Sequence, residues 1–332
     1  MWKILITVSK KLIFAIPVAM ILGFIFGLIF PSQFLSTCII PMTFLMVYPM
    51  MVTLRLKNLL RWNDIKTQIF TQLINFGVIP FIALVIGQYF FADKPFYALG
   101  LLLAALLPTS GMTISWTGFA KGNLEAAVKM TVLGLTIGSI ATPFYLKVLI
   151  GQTIPFEIMP IIRQIVLIVF VPMALGHFTR QYFIKKSSEK EFKERHAPKF
   201  SSLSTVGVLG IVFIAIAMKA EYLAVNPLEL LQIAGPILLL YVINYALSTL
   251  AGKLFLPRGD AIALVYGSVM RNLSIALAIA LNSFGTAGPE IALVITLAFI
   301  VQVQSAAWYV RYTPYVFGVT PPETFNHPAI KK

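Results

Sequence analysis

The chain has 332 residues, 58% of them apolar and 11% charged. Soluble domains carry about 25% charged residues, so this composition excludes an ordinary soluble protein. A formal net charge of +14 suits nucleic acid at first sight, but no basic patch interleaved with aromatic residues occurs, which excludes a nucleic-acid-binding module. The single cysteine, Cys38, excludes an intrachain disulfide and any cysteine-based metal cluster, and fits a small packed residue.

Apolar runs of spanning length, about 17–25 residues, fall at 12–30, 34–54, 69–91, 96–120, 124–146, 157–182, 201–218, 228–251, 261–282 and 289–310. Lipid cannot satisfy free backbone groups, and the runs lack the alternation of a barrel strand. The pattern therefore predicts an all-α membrane protein with ten transmembrane helices. The first run has no small-residue cleavage site and is as long as its neighbours, so it is expected to be a retained helix. The whole chain, 1–332, is one polytopic membrane unit on this reading. Five spans lie in 10–150 and five in 155–312, with a charged cytoplasmic loop at 183–200 and a short tail at 313–332. Two five-helix halves would then have opposite orientation, as in inverted-repeat transporters.

The basic residues agree with such a layout. With the N-terminus inside, the cytoplasmic segments hold Lys3, Lys10, Lys11, Arg55, Lys57, Arg61, Lys66, Lys121, Arg180, Lys185, Lys186, Lys190, Lys193, Arg195, Lys199, Lys253, Arg258, Arg311, Lys331 and Lys332. The opposite side carries Lys94, Lys147, Arg163 and Lys219. Both termini are expected in the cytoplasm, with the protein in the cell's inner (plasma) membrane.

In chain order, span 1 carries Pro17 followed by Leu22-Gly23, and span 6 carries Pro172 followed by Leu175-Gly176, a weak echo between the halves. Asn75 lies early in span 3. Span 4 is interrupted by Pro108-Thr109-Ser110-Gly111, where proline removes a backbone donor and glycine loosens the chain. Thr113 and Trp116 follow on its second half. Span 5 brings Thr131, and Lys129 with Glu125 at i−4, an orientation in which the pair neutralises itself. His177 in span 6 could relay protons, although one turn from Arg180 it is expected simply to be hydrogen-bonded. Span 8 holds Asn244. The matching break in span 9 is expected around Tyr266-Gly267-Ser268, next to Arg271-Asn272-Leu273-Ser274. Gln302, Gln304 and Ser305 follow in span 10. Broken helices at membrane depth must line protein or a water-filled cavity, and in transporters they form the substrate site.

Arg271 is the most informative residue. It sits mid-span with no carboxylate in the run 261–281, at a cost of roughly 2.5–3.5 kcal/mol on insertion scales. About ten residues to either end make snorkelling strained, so a polar cavity is the expected environment. A structural arginine bonded to backbone carbonyls is the alternative.

The stretch Pro108-Thr109-Ser110-Gly111-Met112, then Trp116, then Lys121-Gly122-Asn123, resembles the bile acid:sodium symporter superfamily, and more closely its arsenite permease branch. Tyr48-Pro49-Met50-Met51, Asn75-Phe76 with Pro80, and Arg271 to Ala278 leading to Phe284-Gly285 are similar as well. The resemblance implies two inverted five-helix repeats, with spans 3, 4, 5, 8, 9 and 10 as a core and spans 1, 2, 6 and 7 as a panel. Spans 4 and 9 are implied to be broken and to cross.

Departures from the family pattern bear on function. Thr109 stands where arsenite permeases keep a cysteine, the soft ligand suited to trivalent arsenic, and Ser274 stands where they carry a glutamate. Against sodium-coupled members, Ile114 replaces an asparagine, Ala127 a serine, Gly267 a glutamate and Arg271 a glutamine. Cation ligation needs oxygen donors, so sodium coupling through the usual family site is not expected. Arg271 either replaces the cation or pairs an oxyanion of the substrate with its planar fork.

The sequence thus points to a secondary transporter for a small anionic or oxyanion solute, with arsenite or metalloid efflux as the alternative. Substrate-binding candidates are Arg271, Asn272, Ser274, Thr109, Ser110, Gly111, Thr113, Trp116 and Asn75. Candidates for ion handling or gating are Thr131, Lys129, Glu125 and Gln302. No enzyme is expected, since no nucleophile, acid–base pair or metal-ligand set such as His-Glu-x-x-His occurs in any span. Nothing calls for a cofactor or metal. The partners are the solute and the lipid bilayer, with a homo-oligomer left open. A membrane sensor would need a signalling domain, and about twenty residues follow Tyr312. A channel would be separated from a transporter by saturable flux and countertransport.

Overall fold

The computed structural model describes residues 2–54, 64–151 and 158–318, and among them there is helix and no strand. The elements in order are α1 (Trp2–Lys10), α2 (Leu12–Ile29), α3 (Ile39–Thr53) entered through a 3-10 turn at Gln33–Cys38, and α4 (Ile65–Gln72), continued through a π-helical turn into α5 (Ile79–Phe90). Then come α6 (Pro95–Leu106), α7 (Gly111–Phe119), α8 (Leu124–Leu149), α9 (Ile158–Ile165) and α10 (Val171–Lys186). The rest are α11 (Glu189–Glu191), α12 (Ala197–Ala217), α13 (Ala220–Val225), α14 (Glu229–Phe255), α15 (Arg258–Val269), α16 (Leu273–Ser283) and α17 (Gly288–Phe317).

Helix covers each of the ten apolar runs. Among the described residues, seven helical stretches are long and apolar enough to cross a bilayer, and Phe14–Ile29, Pro95–Leu106 and Leu273–Ser283 are shorter apolar helices. Together these make the chain a multi-pass membrane protein.

Prolines explain the local irregularities. The π-helical turns at Leu73–Val78, Val166–Phe170 and Phe192–His196 each end two residues before a proline, namely Pro80, Pro172 and Pro198. A proline cannot donate to the carbonyl four residues back and its ring crowds that carbonyl. Widening the preceding turn by one residue removes the conflict without ending the helix.

Two groups of helices result. α2, α3, α10 and α12 pack chiefly on one another, while α5, α6, α8 and α14 to α17 form the second group. α16 and α17 bridge to the first through α3 and α12. Lys219 faces Glu290 at 3.6 Å across this boundary, and Asn282 Nδ2 donates to Thr43 Oγ1 at 3.2 Å.

Two expectations are corrected. The segment 183–200 is largely helical rather than a loop. α10 runs through Lys186, Ser188 caps α11 by accepting from the Glu191 N–H, and a π turn leads into α12. Packing of the Phe183, Phe192 and Phe200 rings, with centroids 5.8–6.4 Å apart, gives this polar stretch its own small core. The break in span 9 lies at Met270–Asn272, and Tyr266, Gly267 and Ser268 stay within α15. Gly267 serves packing: a Cβ there would stand 2.5 Å from Met130 Sδ and 3.2 Å from Thr71 Cγ2. Of the basic residues assigned to the inside, Arg55, Lys57, Arg61, Lys331 and Lys332 lie outside the described residues, as does most of the tail.

Candidate functional site

The first break follows from its residues. Pro108 cannot donate to α6 and pushes Leu107 out of helical geometry, to φ −105 and ψ 84. Thr109 has φ 62, a left-handed conformation that costs a β-branched residue about 1–3 kcal/mol. Its Oγ1 compensates locally, donating to Pro108 O at 2.7 Å or Thr131 O at 3.2 Å. Ser110 then caps α7, its Oγ accepting from the Met112 N–H at 3.3 Å while its own N–H donates to Thr113 Oγ1 at 3.2 Å.

The second break contains no proline. Asn272 caps α16 by accepting from the Ile275 N–H at 3.3 Å. The two breaks meet: Pro108 and Arg271 form an antiparallel bridge, and the Asn272 N–H donates to Leu107 O at 2.7 Å. Two half-helices therefore end (α6, α15) and two begin (α7, α16) around one crossing.

Neighbouring amides hold this crossing from several sides. Gln302 on α17 accepts from the Arg271 N–H at 2.7 Å and donates to Arg271 O at 3.1 Å, and Tyr241 donates to the same Oε1 at 2.8 Å. Asn75 donates to Gly267 O and Asn244 to Ser268 O, each at 3.0 Å, so amides from α4–α5 and α14 grip successive carbonyls at the end of α15. These groups satisfy orphan carbonyls that lipid could not. Gln302, expected near an ion path or gate, is thus placed on the backbone of the break.

The Arg271 side chain is 3% exposed, and its Nη1 and Nη2 have no hydrogen-bond partner among the described residues. It faces a cavity bounded by Leu101, Ala104 and Ala105 on α6, Tyr241 and Asn244 on α14 and Ala298 on α17. The cavity measures ≈ 10 Å³, room for about one water. Among the described residues no carboxylate lines it. The last turns of α6 line the cavity, and a helix C-terminus favours positive charge nearby.

Other candidates fall around the crossing or away from it. Gly111 opens the first turn of α7, and nothing lies within 4 Å of where its Cβ would stand. Ser274 occupies the first turn of α16 and is 8% exposed. Thr131 faces the break through the Thr109 bond. Trp116 lies further along α7, edge-to-face with Phe119 at 5.6 Å. His177, expected to be hydrogen-bonded, has an Nδ1 with no partner among the described residues.

Lys129 and Glu125 lie apart from the crossing, at the start of α8. Glu125 stands 3.8 Å from Lys129 Nζ, but the closer partner is Asp64, buried at the head of α4 and also accepting from Gln68 Nε2 at 2.9 Å. Asp260 adds a neighbouring node, accepting from Thr67 Oγ1 at 3.0 Å and Asn123 Nδ2 at 2.6 Å. Asn123 caps α8 by accepting from the Glu125 and Ala126 N–H groups. Sequence reasoning did not single out Asp64 or Asp260. The pairing of Asp64 with a lysine 65 positions away carried no local signal.

The sequence is similar to those of known proteins. The profile of the Sodium Bile acid symporter family matches residues 40–226. Uncharacterized protein YbaS of Bacillus subtilis is 24% identical over 224 residues, 67% of this chain and 71% of that one. Arsenical-resistance protein Acr3 of Alkaliphilus metalliredigens is 26% identical over 208 residues, 58% and 57% of the two chains. The chloroplastic probable sodium/metabolite cotransporter BASS1 of Arabidopsis thaliana is 29% identical over 181 residues, 52% and 43%. The chain thus spans about half the length of the last two relatives. With its profile matched over more than half of the sequence, the chain belongs to the sodium bile acid symporter family, a family of membrane transporters of small solutes and not of enzymes.

Proposed function

We propose that the chain is a secondary transporter that carries a small anionic or oxyanion solute by alternating access, independent of sodium at the usual family site. The observation that carries this reading is the buried Arg271 guanidinium, enclosed without a carboxylate against the C-terminal turns of α6. In discontinuous-helix transporters the C-terminal half-helix ends hold cations and the N-terminal ends face anionic groups. Arg271 thus stands as a built-in cation. The one-water cavity argues against a substrate carboxylate entering beside it.

The solute sits on the other side of the crossing, at the beginnings of α7 and α16. There the Gly111 and Ser274 N–H groups, the hydroxyls of Ser110, Thr113 and Ser274 and the side-chain amide of Asn272 offer donors, with Thr109, Asn75 and Trp116 around them. The open space at Gly111 supports this assignment. The chain crosses the inner (plasma) membrane ten times in two inverted five-helix repeats, with both termini cytoplasmic. The second helix group moves as a core against a panel of α2, α3, α10 and α12.

Flux assays in proteoliposomes test this reading, with small carboxylates and inorganic oxyanions offered with and without sodium. Saturable, sodium-independent uptake of one anion class, with countertransport, is expected from the wild type and is lost in Arg271→Ala. Undiminished flux in that variant sinks the role of Arg271, and flux strictly dependent on sodium sinks the built-in cation. A second reading is metalloid efflux, favoured by the arsenical-resistance relatives. Arsenite extrusion by the wild type would decide for it.

A further inference from the structure

The first helices carry a feature that the transport reading leaves unused. α2 approaches α12 closely at its lower end, where a Cβ on Gly23 would stand 2.5 Å from Phe213 O and one on Gly27 2.2 Å from Ala217 O. α1 and α2 join at Lys11, which lies in neither helix (φ −115, ψ 38). Between α1, α2 and α12 a groove of about 490 Å³ opens on the outer surface. Its walls include Phe14, Val18 and Leu22 on α2 and Leu209 and Phe213 on α12, with the exposed Lys11 at its mouth.

Depth and charge define what fits. From Lys11 to Leu22 the groove descends about 16 Å at 1.5 Å per residue, roughly one leaflet of the ~30 Å hydrocarbon core. Apart from Thr7 and Lys11 the lining is apolar, so a water-filled groove of this size would be unfavourable. On the ten-span layout proposed above, Lys11 stands at the entry of the first span, at the level of lipid phosphates, and Lys199, lying over the Trp2 ring at 5.7 Å, adds a second cation at the same end of α12. A basic group at the mouth of an apolar cleft between spans is the chemistry that selects anionic head groups over zwitterionic ones.

We propose that this groove holds one anionic phospholipid, with an acyl chain laid along α2 and α12 and its phosphate on Lys11. The lipid fills the groove lined by α1, α2 and α12, and it couples the membrane's anionic content to the α2–α12 pair. The site is separate from the Arg271 crossing.

Native mass spectrometry of the full chain, delipidated and then offered phosphatidylglycerol or phosphatidylcholine, tests this. The wild type is expected to retain one phosphatidylglycerol per chain in preference to phosphatidylcholine. Lys11→Gln should lower that preference by about fivefold, as one lysine near a lipid surface contributes. Val18→Trp, on an exposed groove wall, should displace the lipid without disturbing the buried contact below. Equal retention of both lipids by the wild type overturns the proposal, and so does retention unchanged by both variants. A dimer that Val18→Trp dissociates would overturn it too, making the groove an interface between two copies.

Discussion

Gln302 holds the backbone of Arg271 from both sides, accepting from its N–H at 2.7 Å and donating to its carbonyl at 3.1 Å. The side chain of one helix thereby takes the part of a missing helical turn. Arg271 lies in extended geometry after α15, where neither group has a partner within its own helix, and lipid offers none.

Removing that amide should be costly. Gln302→Leu leaves a buried N–H and C=O unsatisfied, each at about 1–3 kcal/mol, and also frees Tyr241. The expected outcome is a clear fall in the thermal unfolding midpoint in detergent, with loss of flux. A midpoint unchanged within error would mean that water replaces the amide.

Arg271 should show a conflict between stability and activity. Replacing even a buried ion pair by apolar side chains of similar volume is often neutral or stabilising by about 1–4 kcal/mol, and Arg271 has no carboxylate lining its cavity among the described residues to offset its desolvation. Arg271→Met is therefore expected to raise the unfolding midpoint while abolishing anion flux. A lowered midpoint would show that the field of α6 more than offsets the desolvation of the guanidinium.

The Asp64–Lys129 pair predicts unequal effects from two carboxylates. Asp64 is 7% exposed, whereas the Glu125 side chain is 45% exposed and 3.8 Å from the lysine. Asp64→Asn should destabilise by about 3 kcal/mol, the range for breaking a buried pair, and Glu125→Gln by under about 1 kcal/mol. Parallel melts of the two variants check the order; equal effects would contradict it.

Thr109 offers a chemical test of the solute. A thiol is a far better ligand than a hydroxyl for a soft metalloid. Thr109→Cys is expected to gain arsenite-dependent thermal stabilisation that the wild type lacks. At a free concentration of about 100 times the dissociation constant the gain would be about 2.7 kcal/mol. Stabilisation of the wild type by arsenite would instead favour metalloid efflux.

The sequence by itself determined the membrane class, the helical runs and the break at Pro108, because these follow from transfer free energy and from the missing proline N–H, both local properties. It also marked Arg271, since a mid-span charge is costly wherever the chain goes. Only the tertiary structure decided the second break. Gly267 looked like a helix breaker, yet it lies inside α15 because Met130 and Thr71 need its missing Cβ. The chain opens instead at Arg271, where Pro108, Leu107 and Gln302 supply the partners that a break requires. Tertiary structure likewise joined Asp64 to Lys129 and turned the charged stretch 183–200 into helix, because those choices depend on neighbours distant in sequence or on packing among its own rings. Local chemistry said where the helices run, and the packing of one helix end against another said where they stop.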